Sequence, residues 1–338
     1  PAFDRPRAFG SLRGAYGWNE LSDINPSEAD GSFGTRFGAD RQFGIVVAGN
    51  YSLRGISAEN VQSGATWEEV NDFFVPLEQT IRAYNTRRER WGAVVNLDWR
   101  PSPDVRTFAR FLYSNYNDTE ERPGFTIELD EDEITNQTAT GGDFAEADSS
   151  RALRSRRENS YTYTASLGAE FDLGPSWLRT EGSYTKATKR DPNRDEWIFE
   201  AEEIGGSYDL SDEIPQFFPD EDAFDPENFE FDETSYENRR AVEDLWQGRV
   251  DFRTPIGDGE NSTVQIRAKI TDRRKRNNID AEVYDGFDGD DLTLDQFLGE
   301  PIDSIFDGRF PFGPTVSRDL ADAFFFANQG DFELDEEA

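Results

Sequence analysis

Carboxylates are the side chains this chain has in excess, and they are the first candidates for chemistry. Asp285-Gly-Phe-Asp288-Gly-Asp290-Asp291-Leu-Thr-Leu-Asp295 sets Asp285, Asp288, Asp290, Asp291 and Asp295 close together. Hard oxygen ligands suit calcium, and crowded carboxylates repel one another unless a cation neutralises them. The stretch misses the twelve-residue calcium-loop register, however. Counted from Asp285, position six is Asp290 where glycine is needed, and position three is Phe287; counted from Asp288, Leu292 takes position five. Calcium is the one ion these five aspartates suggest, outside the standard loop geometry, and no other cofactor is expected. Acid pairs also crowd Asp130-Glu-Asp-Glu133. With neither His nor Cys in the chain, the usual general base and the thiol nucleophile are missing. Hydrolysis would have to run on carboxylate pairs, Lys, Ser or Tyr, and acids are too frequent for their spacing to mark a site. No enzyme is read here.

Aromatic side chains supply the second candidate set. Trp67, Phe73, Phe74, Trp197, Phe199, Tyr208, Phe217 and Phe218 stand in connecting regions expected to be exposed. Ring faces suit sugars and other partly apolar ligands, with neighbouring carboxylates and amides taking hydroxyls. The plainer reading is that these rings pack the long connections against one another. Phe324, Phe325 and Phe326 are consecutive and fit a hydrophobic cluster of the same kind.

The formal charge is -35, from 35 Lys plus Arg against 70 Asp plus Glu. A balance so acidic argues against DNA or RNA as partner. The excess is not uniform: windows 117–155, 191–236 and 277–338 hold nearly all of it, and the remainder is close to neutral. Such windows read as solvated loops. No run of 18 apolar residues suggests a membrane helix or a signal peptide, but a β-barrel hides its apolar residues at alternate positions.

The near-neutral segments alternate. Trp91, Ala93, Val95, Leu97 and Trp99 share one face of a period-two pattern, opposite Gly92, Val94, Asn96 and Asp98. Tyr161 to Asp172, Trp246 to Arg253 and Val264 to Thr271 repeat it. Nine strands are expected, over 8–20, 31–39, 43–54, 87–100, 105–117, 156–172, 177–190, 241–254 and 262–276. From the second strand onward the connections alternate between tight turns, such as Pro101-Ser-Pro-Asp104 and Leu173-Gly-Pro-Ser176, and long acidic loops. Aromatics crowd the strand ends, and no amphipathic helix is evident to cover the apolar face. Together these predict an all-β, antiparallel transmembrane β-barrel with short periplasmic turns and long acidic extracellular loops. Nine strands would leave two open edges in lipid. The chain, starting at Pro1 and stopping within a loop at Ala338, is thus expected to be part of a longer protein.

This pattern resembles TonB-dependent outer-membrane receptors, particularly the large subfamily linked to uptake of oligosaccharides and other bulky nutrients. The resemblance is carried by Ala2-Phe-Asp-Arg5, Phe43-Gly-Ile-Val-Val-Ala-Gly-Asn-Tyr51, Arg87-Arg-Glu-Arg-Trp-Gly92, Asp98-Trp-Arg-Pro101 and Phe108 to Asn117. It spans residues 1–276, the N-terminal part of the barrel, and leaves 277–338 as a long extracellular loop region. It implies a barrel of about 22 strands around a plug, of which the plug, the TonB box and the later strands are missing here. It also implies import of a nutrient ligand with TonB-supplied energy, placement in the outer membrane of a Gram-negative bacterium, and partnership with the chain's own plug, the TonB complex and a surface lipoprotein. The polar strand faces carry Arg13, Arg106, Arg110, Arg179, Glu181, Arg249, Arg253, Arg267 and Lys269; the resemblance turns them toward the lumen and plug, with ion pairs between neighbouring strands. Two other readings compete: a passive outer-membrane porin, and a secreted all-β module binding calcium or a sugar.

Overall fold

All nine expected segments contain strand; the first two stop short of their expected ends, at Tyr16 and Phe37, and most of the others run on past theirs. The computed structural model describes residues 2–5, 7–22, 24–63, 67–257 and 262–337. In chain order the elements are β1 (Phe9–Tyr16), β2 (Ser27–Phe37), β3 (Phe43–Ser63), β4 (Trp67–Val70), β5 (Phe73–Pro76), β6 (Glu78–Ser102), β7 (Val105–Glu128), β8 (Ile134–Thr138) and β9 (Gly141–Leu173). They go on through β10 (Ser176–Asp209), β11 (Gln216–Pro219), β12 (Glu230–Pro255), β13 (Thr263–Phe287), β14 (Ile302–Ile305), β15 (Phe310–Gly313), α1 (Arg318–Asn328) and β16 (Phe332–Glu337). Of the expected Pro255–Asn261 turn, Asp258 to Asn261 lie outside the described residues.

The main sheet runs β1-β2-β3-β6-β7-β9-β10-β12-β13-β16, with β8 paired to β9 and β11 to β10. All its pairings are antiparallel. The sheet is not closed: among the described residues β1 pairs only with β2, and no pairing joins it to β13 or β16. The expected transmembrane barrel is therefore corrected to an open antiparallel sheet. Alternation specifies which side chains share a face, but it carries no information on whether the two ends of a sheet meet. Among the described residues no helix is long and apolar enough to cross a membrane, a fact that does not bear on strands.

The long acidic loops are a second correction. Most of residues 55–86, 118–155 and 191–240 extend the strands on either side, as β3 runs on to Ser63 and β10 to Asp209. What joins the extensions is compact. Val70 and Phe73 flank Asn71 and Asp72, both at positive φ (50° and 69°), the signature of a two-residue hairpin turn between β4 and β5. An expected absence of helix is also overturned, since α1 places Ala321 and Phe325, four residues apart, on its buried side.

A bulge decides how the long β10 strand is used. Near Asp191 the register shifts by one residue against both β9 and β12, and Asn193 takes a φ of 55°. One extra residue exchanges the faces of a strand. Below the bulge, Tyr184 shares a face with Ala165 and Trp246; above it, Asp195, Trp197 and Phe199 take over that same face.

Following register across the sheet, this face is continuous but unevenly covered. In the distal halves a cap formed by β4–β5, β11, the β14–β15 hairpin and α1 lies over it. Trp197, Phe199, Phe229, Phe312 and Phe325 are buried there, and Trp197 stacks near Phe199 and Phe297 with Phe325 and Phe332 edge-on. Each such side chain contributes about 1.5–3 kcal/mol by leaving water. In the proximal halves the face is bare, with Leu97, Leu167, Ile266 and Ile270 all exposed. The opposite face carries ion pairs.

Candidate functional site

Where the cap ends, the sheet face leaves a cleft. Asn85 of β6 and Glu121 of β7 stand directly opposite each other in the ladder, just proximal to the covered region. Directly opposed residues project to the same side of a sheet. One recess of about 350 Å³ is walled by this pair together with Leu153, Glu300, Thr315 and Arg318. A second recess of about 290 Å³ shares Asn85 and Glu121 and continues to Arg87, Thr119 and Ser22. The two meet at the amide–carboxylate pair.

The walls are fixed by the cap's own hydrogen bonds. Gly299 N–H donates to the Thr315 carbonyl at 2.8 Å, Ser317 N–H to the Phe297 carbonyl at 2.6 Å, and the Thr315 hydroxyl to the Glu300 carbonyl at 2.8 Å. On the sheet side the Ser57 hydroxyl donates to Asn85 Oδ1 at 2.9 Å, which turns the amide nitrogen of Asn85 to other acceptors.

Arg318 joins the cleft to the core. Its Nη2 donates to Asp195 Oδ1 at 2.6 Å and its Nε to Oδ2 at 2.9 Å, the forked geometry that suits guanidinium and carboxylate. Nε also lies 3.3 Å from Asp322 Oδ2. Asp322 Oδ1 in turn accepts from Trp197 Nε1 at 3.2 Å and from the Tyr236 hydroxyl at 2.9 Å. Asp195 is 1% exposed; burial pushes its carboxyl up to about 6, against the opposing pull of Arg318. Burial works against the charge of Arg318, but the hydrogen bonds and charge of Asp195, with Asp322 and Glu121, hold its pKa above the ordinary value. Burial first, then Asp322, raises the Tyr236 phenol. Arg318 thus enters the cleft as a fixed cation whose neighbours are already satisfied.

The residues marked from sequence fall elsewhere. Trp197, Phe199, Tyr208 and Phe217 are buried in the aromatic core, with Tyr208 and Phe217 6.2 Å apart. Trp67 and Phe74 are exposed on the β4–β5 hairpin, Phe73 is half-buried beside them, and Phe218 is exposed on β11. These eight do not gather at one surface. Phe325 packs in the core while Phe326 points outward. Among the five aspartates, the Asp295 carboxylate accepts from the Thr293 hydroxyl at 2.5 Å and Asp288 N–H donates to the Asp331 carbonyl. Among the described residues no three Asp or Glu come together as a metal site.

The polar-face residues are knitted into pairs. Arg106 donates to Asp98 at 2.8 Å and lies 3.6 Å from Glu170; Arg179 reaches Glu170 and Glu181; Arg13 is 3.5 Å from Asp30. Arg249 and Arg267 converge on buried Asp251 and hold its carboxyl down at about 2, Arg249 contributing most. Arg110 lies over the Phe108 ring, and Arg253 lines a recess at the Gly174 turn. Glu181, Arg249, Arg267 and Lys269 share a further recess of about 270 Å³.

Asn85, Glu121, Glu300, Ser317, Arg318 and Asp319 carried no signal in the sequence. Only the pairing of β6 with β7, and a cap contributed from about two hundred residues further on, brings them together.

Comparison with known proteins adds no family. No family model matches the sequence, and no curated protein matches it either. With the sheet open and its distal face covered by protein, the resemblance to TonB-dependent receptors does not hold. The import function, the plug, TonB and lipoprotein partners and the outer-membrane placement all depended on a closed barrel, and they fall with it.

Proposed function

We propose that the chain is an all-β binding module whose cleft across Asn85 and Glu121 takes a neutral, hydroxyl-rich ligand of the saccharide class. The observation that carries this reading is the meeting of two recesses at a cross-strand amide–carboxylate pair. Vicinal hydroxyls donate and accept at once. A carboxylate that only accepts, set beside an amide that also donates, matches that pattern. The lining includes Glu121, Glu300 and Asp319 against Arg318 and Arg87, so its acidic balance disfavours anions. Among the described residues no aromatic ring lines either recess, so recognition runs through hydroxyl edges rather than ring faces.

Isothermal titration of the full chain with neutral oligosaccharides, using uronic-acid oligomers as the anionic control, tests this. A neutral oligosaccharide should bind. Glu121→Gln should weaken binding by about tenfold or more, as expected for loss of a charge-assisted hydrogen bond. Binding that is unchanged in Glu121→Gln, or a chain that takes no neutral saccharide, would overturn the assignment.

A further inference from the structure

The far edge of the sheet is unfinished in a specific way. From Thr263 to Asp280, β13 has β12 on one side and, among the described residues, no strand on the other; every residue of this stretch is exposed. At about 3.3 Å per residue it offers nearly 60 Å of unpaired backbone. Only its upper end is covered, where Phe332–Glu337 of β16 pairs antiparallel with Glu282–Phe287. That strand reads Phe-Glu-Leu-Asp-Glu-Glu. β16 shows that this edge takes an added antiparallel strand, but Glu282 there faces Glu337, so the selection by charge rests on residues 263–280.

That open stretch is basic. Arg267, Lys269, Arg273, Arg274, Lys275 and Arg276 stand against Asp272 and Asp280, a local excess of positive charge in a chain whose total is -35. Arg267, Arg273 and Arg276 lean back to Asp251, Glu243 and Asp244 on β12, and Arg274 lies near Asp272. Arg267, Lys269, Arg273 and Lys275 alternate onto one face, and Val264, Ile266, Ala268 and Ile270 onto the other.

Basic side chains on an edge strand also block indiscriminate pairing. They do so selectively here. Two copies of β13 paired antiparallel about the middle of the open stretch would set Arg267 against Arg276 and Lys269 against Arg274. The other sheet edge, β1, carries Arg13 and no acid, so it brings no complementary charge.

We infer that the open edge of β13 is an acceptor for an extended acidic segment, which adds as an antiparallel strand continuing the line of β16. The fitting partner alternates, with Asp or Glu opposite Arg267, Lys269, Arg273 and Lys275, and apolar residues opposite Val264 to Ile270. Backbone hydrogen bonds supply the attachment and the alternating side chains supply the choice of register.

The test uses the full chain and three fluorescent thirteen-residue peptides: alternating Glu and Val, alternating Lys and Val, and the Glu–Val peptide interrupted by two prolines. Anisotropy measures binding, and hydrogen exchange follows amides of 263–280. The Glu–Val peptide should bind and slow exchange in this stretch, the other two should not, and added salt should weaken binding. Lys269→Glu with Lys275→Glu should reduce affinity at least fivefold; both side chains are exposed, and circular dichroism checks that the sheet is intact. Equal binding of the Lys–Val peptide, or acidic-peptide binding without protection of 263–280, would overturn the inference. So would concentration-dependent self-association that protects the same amides with no peptide present, since the occupant would then be a second copy.

Discussion

Replacing Arg151 with alanine should unfasten the cap before it unfolds the sheet. Arg151 is 1% exposed, its guanidinium lies 3.5 Å from the centre of the Phe125 ring, and among the described residues no carboxylate pairs with it. Burial pulls its pKa from 12.5 down to about 9, so it keeps its charge at neutral pH at a desolvation cost of about 5 kcal/mol. Three acceptors offset that cost: the carbonyls of Phe312 and Pro314 from Nη1, and that of Ala223 from Nη2 at 2.6 Å. Hydrogen bonds to a charged donor contribute about 1.5–3 kcal/mol each, and a desolvated cation on a ring adds about 2 kcal/mol. The intact arrangement is therefore modestly favourable. Truncation is not, because it strips buried carbonyls of their donor and leaves a void. The expected loss is about 3–5 kcal/mol. Urea denaturation gives the total, and hydrogen exchange gives its location. Protection should fall first in β14–β15 and in Ala223 to Asn228, while Trp91 to Trp99 in β6 stays as in the parent. A loss below about 1 kcal/mol, or one spread evenly over β6 and the cap, would refute the reasoning.

Two further expectations follow from the cap. Burial holds Asp195 near 6 against an ordinary 3.8, so between roughly pH 4 and 6 the folded chain keeps a proton that the unfolded chain has released. Its contribution to stability therefore falls as pH rises through that window, by up to about 3 kcal/mol; urea midpoints across that range should show the slope, and Asp195→Asn should flatten it. Trp197→Ala removes a fully buried ring from among Phe199, Phe297, Phe325 and Phe332 and leaves Asp322 one donor short. It should cost about 3–5 kcal/mol and abolish much of the near-ultraviolet dichroism, and a stability change within 1 kcal/mol would contradict the packing described.

How much was legible in the sequence differs between the two ends of the strands. Trp91 to Trp99 announces a strand because its alternation is uninterrupted, and the structure pairs Val95 with Val47 and Phe111 accordingly. Trp197, Phe199 and Ala201 alternate with Ile198, Glu200 and Glu202 in the same way. That signal was masked by Asp191-Pro-Asn-Arg194, which has the composition of a loop and forms a bulge within β10. Pro123-Gly124 hid the distal half of β7 likewise, although Pro123 sits opposite Leu153 within the ladder. The cleft was illegible for a different reason. Asn85 and Glu121 become neighbours only through strand register, and Arg318 is held beside them by its salt bridge to Asp195, over a hundred residues away in sequence. Local pattern has no access to such distances. Closure of the sheet was equally out of reach, because the pattern of β1 and β13 is the same whether or not a further strand lies beside them.

The separation in sequence between the aromatic stripe of β10 and the segment that covers it has a consequence for a chain leaving the ribosome. Trp197 and Phe199 are synthesised well before Phe297, Phe325 and Phe332, which shield them in the finished fold. At about 5–20 residues per second the wait is roughly ten seconds, ample time for a bare aromatic strand to find a wrong neighbour. Glu196, Glu200 and Glu202 interleave with that stripe, and charges so placed discourage intermolecular β-pairing. The acidity of this stretch thus guards the nascent chain during an interval that the folded protein no longer displays.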